Sequence, residues 1–205
     1  MDELKAEARC RECGRRPADQ WLSGDGPLCD PCLDERIAAA TGRPRLPLAP
    51  PPVEIDGGDG RRHVLRYRLW RAPTGISVRL VEEGRAADEG FEFGVLGDHD
   101  ADVSQLVTRV RAEAEAEIGR CYLEPDHRGM GWRLAGDEVS GRLVWNPEDA
   151  PCHVVVDGRA LSWDELGEAV SSFEGRRFRL TIDDSLADAR SEAAKAPLGV
   201  HDTPS

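Results

Sequence analysis

Residues 8–33 read ARCRECGRRPADQWLSGDGPLCDPCL and hold four of the chain's six cysteines as two Cys-x2-Cys pairs, Cys10–Cys13 and Cys29–Cys32. Fifteen residues separate the pairs, a spacing within the range of zinc sites. A Cys-x2-Cys turn lets two thiolates converge on one ion while backbone N–H groups support the sulfurs, and two such turns close a tetrahedral shell. Gly14 suits the left-handed residue that such a turn often needs. A shell of four thiolates leaves no open coordination position, so one zinc ion on Cys10, Cys13, Cys29 and Cys32 is expected to be structural. Four thiolates around Zn2+ carry excess negative charge, and Arg9, Arg11, Arg15 and Arg16 stand beside the first pair to offset it. After the last ligand, LDERIAAATG (33–42) predicts a short helix with Leu33, Ile37 and Ala40 on one face. A hairpin between the pairs and a helix after them is a treble-clef arrangement, with a zinc ribbon as the near alternative. A module this short has too little core to fold by burial, so metal binding is expected to supply most of its folding free energy.

Composition divides the 205 residues into four regions. Residues 1–40 form the four-cysteine module. Residues 41–60, TGRPRLPLAPPPVEIDGGDG, read as a linker, stiff where proline is dense and flexible through the glycines. Residues 61–184 carry strand and helix patterns, and 185–205 read as a disordered tail. Alternating apolar and charged residues predict strands at 63–71, 76–82, 91–96, 138–145, 153–157 and 177–182. A helix is expected over 103–121, with Val103, Leu106, Val107, Val110, Ala114, Ile118 and Cys121 on one face and Asp102 with Gln105 as its capping box. A second helix opens with the Ser162–Glu165 box and a Leu161–Leu166 staple, lines up Trp163, Leu166, Val170 and Phe173, and stops at Gly175. Asp157-Gly158 marks a hairpin turn. The expected fold class is α+β: the zinc module followed by a two-layer sandwich of one antiparallel sheet and two helices.

The formal net charge of −12 argues against whole-chain affinity for nucleic acid or an anionic membrane. Of 27 basic residues only Lys5 and Lys195 are lysine, a bias that fits a GC-rich bacterial genome. The polar start MDELKAEARC is not a signal peptide, and no stretch reaches the roughly 20 apolar residues of a membrane span. A soluble, cytoplasmic protein is expected, in which reduced cysteines serve as ligands or buried thiols rather than disulfides.

Three other groupings bear on chemistry. Asp98, His99, Asp100 and Asp102 lie close enough in sequence to hold a divalent cation or serve hydrolysis, although acidic residues there also suit a turn leading into a helix N-cap. Cys121 with His127 and Cys152 with His153 read as buried thiols rather than a second metal site, since strand neighbours point to opposite faces. Arg66, Arg68, Arg79, Arg142, Arg177 and Arg179 are expected on the open side of the sheet, with Trp70 in phase with Arg66 and Arg68. They form a candidate surface for RNA, phosphate or an acidic peptide.

The cysteine stretch, together with FEFGVLGDHDAD (91–102), VVVDGRALSWDEL (154–166) and FEGRRFRLTIDD (173–184), resembles an uncharacterised bacterial, actinobacterial-like family. In that family a short zinc-binding module precedes a domain of unknown function. The resemblance implies an architecture and supplies no catalytic residues.

The expected function is that of a non-enzymatic interaction or adaptor protein with another protein as its partner. Two alternatives stand beside it: a nucleic-acid-associated protein using the arginine face, and a metal-dependent hydrolase using the Asp98–Asp102 cluster.

Overall fold

The computed structural model describes residues 8–22, 24, 26–86, 89–127, 131–145 and 152–183. The N-terminal module is a two-stranded hairpin, β1 (Gln20–Leu22) and β2 (Gly26–Leu28), followed by helix α1 (Asp30–Thr41). Pro31 sits in the first turn of α1, where its missing N–H costs nothing, and Gly42 ends the helix in a left-handed conformation.

The central unit is an antiparallel sheet in the order β3-β4-β5-β6: Val53–Asp56, Arg62–Ala72, Gly75–Glu82 and Glu92–Gly97. The alternation in β4 puts Leu65, Tyr67 and Leu69 on one face, where they meet Val78, Leu80, Phe93 and Val95. Helix α2 (Val103–Ile118) closes this core with Leu106, Val110, Ala114 and Ile118, the four-residue repeat that the sequence displays. Asp102 caps α2 by accepting from the Ser104 N–H and hydroxyl at 2.8 and 2.7 Å, rather than through a box with Gln105.

Val53–Asp56, inside the expected linker, is an edge strand paired with Arg62–Leu65 of β4. The prolines precede it, so the apolar Val53 and Ile55 are free to join the core.

The second helix does not cover this sheet. Residues 122–173 build a separate core from the hairpin β7–β8 (Leu123–Pro125, Trp132–Leu134), the sheet β11-β10-β9 (Arg159–Leu161, His153–Val156, Arg142–Val144) and helix α3 (Trp163–Val170). The Ser162–Glu165 capping box is formed. The helix buries Ala169 and packs Leu166 and Phe173 inward, leaving Trp163 and Val170 exposed. Its inner stripe is therefore rotated from the expected one, because small Ala169 allows closest approach. The single two-helix sandwich is replaced by two small α+β units, each with its own helix. The expected strand at 177–182 is also absent: residues 176–183 have no regular secondary structure. The expected tail lies outside the described residues.

The two units meet at the Asp157-Gly158 turn. Asp157 adopts φ 50°, and its carboxylate accepts the N–H groups of Tyr122 and Leu123 at 2.9 and 2.7 Å. Burial raises the Asp157 pKa, against the opposing effect of those two donors. Asp157→Ala removes the acceptor and puts alanine, which tolerates the left-handed region less well than aspartate, at φ 50°. It is expected to cost about 2–4 kcal/mol in denaturant unfolding, and Asp157→Asn markedly less.

Candidate metal centre

The cysteine site grows from two turns. In the first, the Cys10 N–H donates to Arg16 O at 2.9 Å, the Gly14 N–H donates to Cys10 O at 2.8 Å, and Gly14 takes φ 61°, a conformation that favours glycine. In the second, the N–H groups of Cys32 and Leu33 both donate to Cys29 O as α1 begins. The four sulfurs of Cys10, Cys13, Cys29 and Cys32 then lie within 4.8 Å of one another, with Cys13 Sγ 3.9 Å from Cys29 Sγ. That gap is far beyond a disulfide bond of about 2.05 Å. It matches the roughly 3.8 Å edge of a tetrahedron of sulfurs about 2.3 Å from a central ion. Cys10, Cys29 and Cys32 are buried around Leu28, so the site is closed by protein on most sides. Among the described residues this is the one convergent group of three or more potential metal ligands.

The electrostatics favour thiolate at the first pair. The backbone N–H groups of Arg16 and Arg15 bring Cys13 down to about 6. Burial opposes ionisation of Cys10, yet the backbone donors of Cys13, Cys29 and Glu12 outweigh it and lower its pKa. Burial raises Cys29, and burial with the neighbouring sulfurs raises Cys32. A cation at the centre would remove the mutual repulsion of the four thiolates. At Cys13 the arginines act through the backbone, a contribution that a count of guanidinium groups does not capture.

The module is seated on the central sheet by ion pairs. Beyond Leu65 strand β4 has no β3 partner, and α1 lies against it there. Asp34 accepts from Arg71 Nε at 2.9 Å through one oxygen and from the Leu46 N–H at 2.7 Å through the other, while Arg71 also donates to Pro44 O. The side chains of Arg71 and Asp34 are only 6% and 4% exposed. Asp30, between the second pair of cysteines, accepts from Arg68 Nε at 3.1 Å and from Gln20 at 3.1 Å. Burial holds the Asp30 carboxyl above its ordinary range despite Arg68, and Asp30 and Asp19 raise the Arg68 pKa against the effect of burial. The buried face of α1 is therefore Asp30, Cys32, Asp34 and Ala38, not the expected Leu33, Ile37 and Ala40. Leu33 and Ile37 are only partly buried and Ala40 is exposed.

Of the six arginines expected on one open face, the structure brings Arg66, Arg68, Arg79 and Arg142 together and leaves Arg177 and Arg179 apart. Arg66 pairs with Asp19 at 3.3 Å and Arg68 with Asp30. Arg79 and Arg142 converge on Glu92 at 2.6 and 3.3 Å. Trp70 lies beneath the guanidinium groups of Arg68 and Arg79, 5.6 and 5.1 Å from the ring centre. Arg177 and Arg179 stand apart, exposed on the irregular segment. The first four form a network with carboxylates supplied by the module and by β6. A sequence pattern that shows only strand parity gives no sign of those carboxylates.

The acidic cluster does not converge. Asp98 and Asp100 are exposed, Asp102 caps α2, and His99 Nε2 lies 3.2 Å from Pro73 O. The Cys121 thiol donates to Leu123 O, and burial raises its pKa. His127 lies beside Arg133. The residues that sequence reading passes over are Asp19, Asp30, Asp34, Arg71 and Glu92. The i, i+4 spacing of Asp30 and Asp34 beside a ligand cysteine is the signal available for two of them.

Comparison with known proteins follows these structural boundaries. Residues 47–119 match a Domain of unknown function (DUF7686) and residues 122–187 match a second Domain of unknown function (DUF7713). The first spans the central sheet and α2, the second the 122–173 core and the segment after it; the cysteine module precedes both. A curated relative, the 1,4-alpha-glucan branching enzyme GlgB 1 of Rhizobium etli, is 25% identical over 126 residues, covering 57% of this chain and 17% of that enzyme. The chain thus spans about a sixth of that enzyme's length. No solved structure matches.

The buried pair generates a prediction. Asp34→Ala leaves Arg71 charged and uncompensated, and is expected to destabilise the module–sheet contact by about 3–5 kcal/mol. The double variant Asp34→Leu/Arg71→Met is expected to recover most of that loss. Denaturant unfolding of the wild-type chain, Asp34→Ala and the double variant measures both.

Proposed function

We propose that this chain is a zinc-binding, non-enzymatic interaction protein whose metal module is held against the sheet domain as a fixed binding platform. The observation that carries the reading is the convergence of four sulfurs at the start of a helix that, through Asp30 between the second cysteine pair and Asp34 one turn on, carries the ion pairs to β4. An all-thiolate donor set suits Zn2+ and leaves no position for substrate, which favours a structural ion. The hairpin-then-helix order supports a treble-clef type. No helix among the described residues is long and apolar enough to cross a membrane, and unpaired thiols fit a reducing, cytoplasmic setting. A protein partner is favoured over nucleic acid because Arg66, Arg68, Arg79 and Arg142 already face carboxylates within the chain.

The purified full chain is expected to carry one equivalent of zinc by elemental analysis, and Cys29→Ser to carry none. Protons compete for the four sulfurs, so the metal is expected to be retained at neutral pH and released on acidification. A strong chelator should collapse the 8–41 segment, seen as rapid proteolysis there while residues 76–118 stay resistant. Protein that contains no zinc, or whose 8–41 segment resists protease after chelation, would contradict the reading.

A further inference from the structure

Among the described residues, the second unit carries two halves of an interface that do not meet. The first half is Arg177-Phe178-Arg179-Leu180-Thr181-Ile182, in which apolar and polar side chains alternate as in a strand with one buried face. It runs on from Gly175 with no strand partner among the described residues, with Phe178 92%, Leu180 66% and Ile182 71% exposed. It is not an appendage: the match to the second domain of unknown function continues to residue 187, beyond its end. The second half is the edge of the sheet β11-β10-β9. Strand β9 pairs with β10 on one side and with no described strand on the other. Leu143 on this strand and Trp145 just after it, two residues apart, are 47% and 68% exposed. An open edge flanked by exposed aromatic and aliphatic side chains is a template for an added strand.

We propose that two copies of this chain associate by reciprocal strand addition, residues 177–182 of each pairing with the β9 edge of the other. Phe178, Leu180 and Ile182 then cover Leu143 and Trp145. The acidic Asp137 and Glu138, exposed ahead of β9, face the arginine-rich strand, so the charges are complementary. Within one chain the strand leaves from the end of α3, which packs on β8, β10 and β11, whereas the open edge is β9. A two-fold dimer satisfies both halves at once and closes the association at two chains. The inference is independent of the metal ion.

Light scattering coupled to size exclusion, on the full chain across a concentration series, is expected to show a monomer–dimer equilibrium. Phe178→Asp/Leu180→Asp changes exposed residues only, and is expected to weaken association roughly a hundredfold or more while leaving the circular dichroism spectrum unchanged. Hydrogen exchange of amides 177–182 is expected to slow as concentration rises. A chain that stays monomeric at every concentration overturns the proposal. So does a dimer that persists unweakened in the double variant, or protection of 177–182 that does not depend on concentration, which would mean the strand folds back on its own chain.

Discussion

The Arg71–Asp34 pair is the most deeply buried arginine–carboxylate pair among the described residues. Two opposite charges, almost fully removed from water, are tolerable only when the geometry is good and the remaining lone pairs are satisfied. Asp34 meets that condition with Arg71 on one oxygen and the Leu46 N–H on the other, and Arg71 with a second bond to Pro44 O. The pair therefore locks three stretches together: the module helix, the connection leaving it, and the free half of β4. Such a contact adds little net stability over a hydrophobic equivalent, but it permits only one docking orientation. The same helix starts at the second cysteine pair, so the carboxylates of Asp30 and Asp34 are presented by the backbone that also presents Cys29 and Cys32. The order of the four-sulfur site and the seating of the module are thus coupled through one short rigid element.

A second set of charges holds the rest. Glu92 accepts from Arg79 within the central sheet and from Arg142 on β9, joining the two α+β units. Nearby, the Gly90 N–H donates to Gly158 O, and Asp157 draws the chain after α2 into the second core. Arg68 and Arg79 stand directly opposite each other on neighbouring strands, an arrangement that would repel in isolation. Trp70 beneath both, Asp30 beside one and Glu92 beside the other turn it into a neutralised network. The strongly acidic composition is in part what allows so many arginines to sit at internal seams.

Much of this was legible in the residues. The cysteine spacing pointed to the convergence of Cys10, Cys13, Cys29 and Cys32, and the periodicity of β4, β5, β6 and α2 gave the central core, because burial on one face leaves a pattern of period 2 or 3.6. Short strands were missed: Val53–Asp56 lies among linker-like prolines and glycines, and Leu123–Pro125 and Trp132–Leu134 are too brief to show a period. The partition into two cores was hidden because both units are α+β and follow one another without a break in composition. The inward face of α1 is hidden for a different reason. Hydrophobic periodicity cannot find a helix that docks through aspartates, since their partners Arg68 and Arg71 lie more than thirty residues away in sequence. Arg177–Ile182 has the strand pattern without a strand partner among the described residues.

The central claim is that the four-sulfur site and the β4 docking surface are one cooperative structure, and amide hydrogen exchange measured with metal bound and after chelation tests it most directly. The account predicts that stripping the metal speeds exchange at Arg45, Leu46 and 66–72 together with 9–41, while Val110 to Ile118 in α2 stay protected. Unchanged protection at 66–72 after the cysteine segment has lost its order would show that the module and the sheet are independent, and would contradict the account.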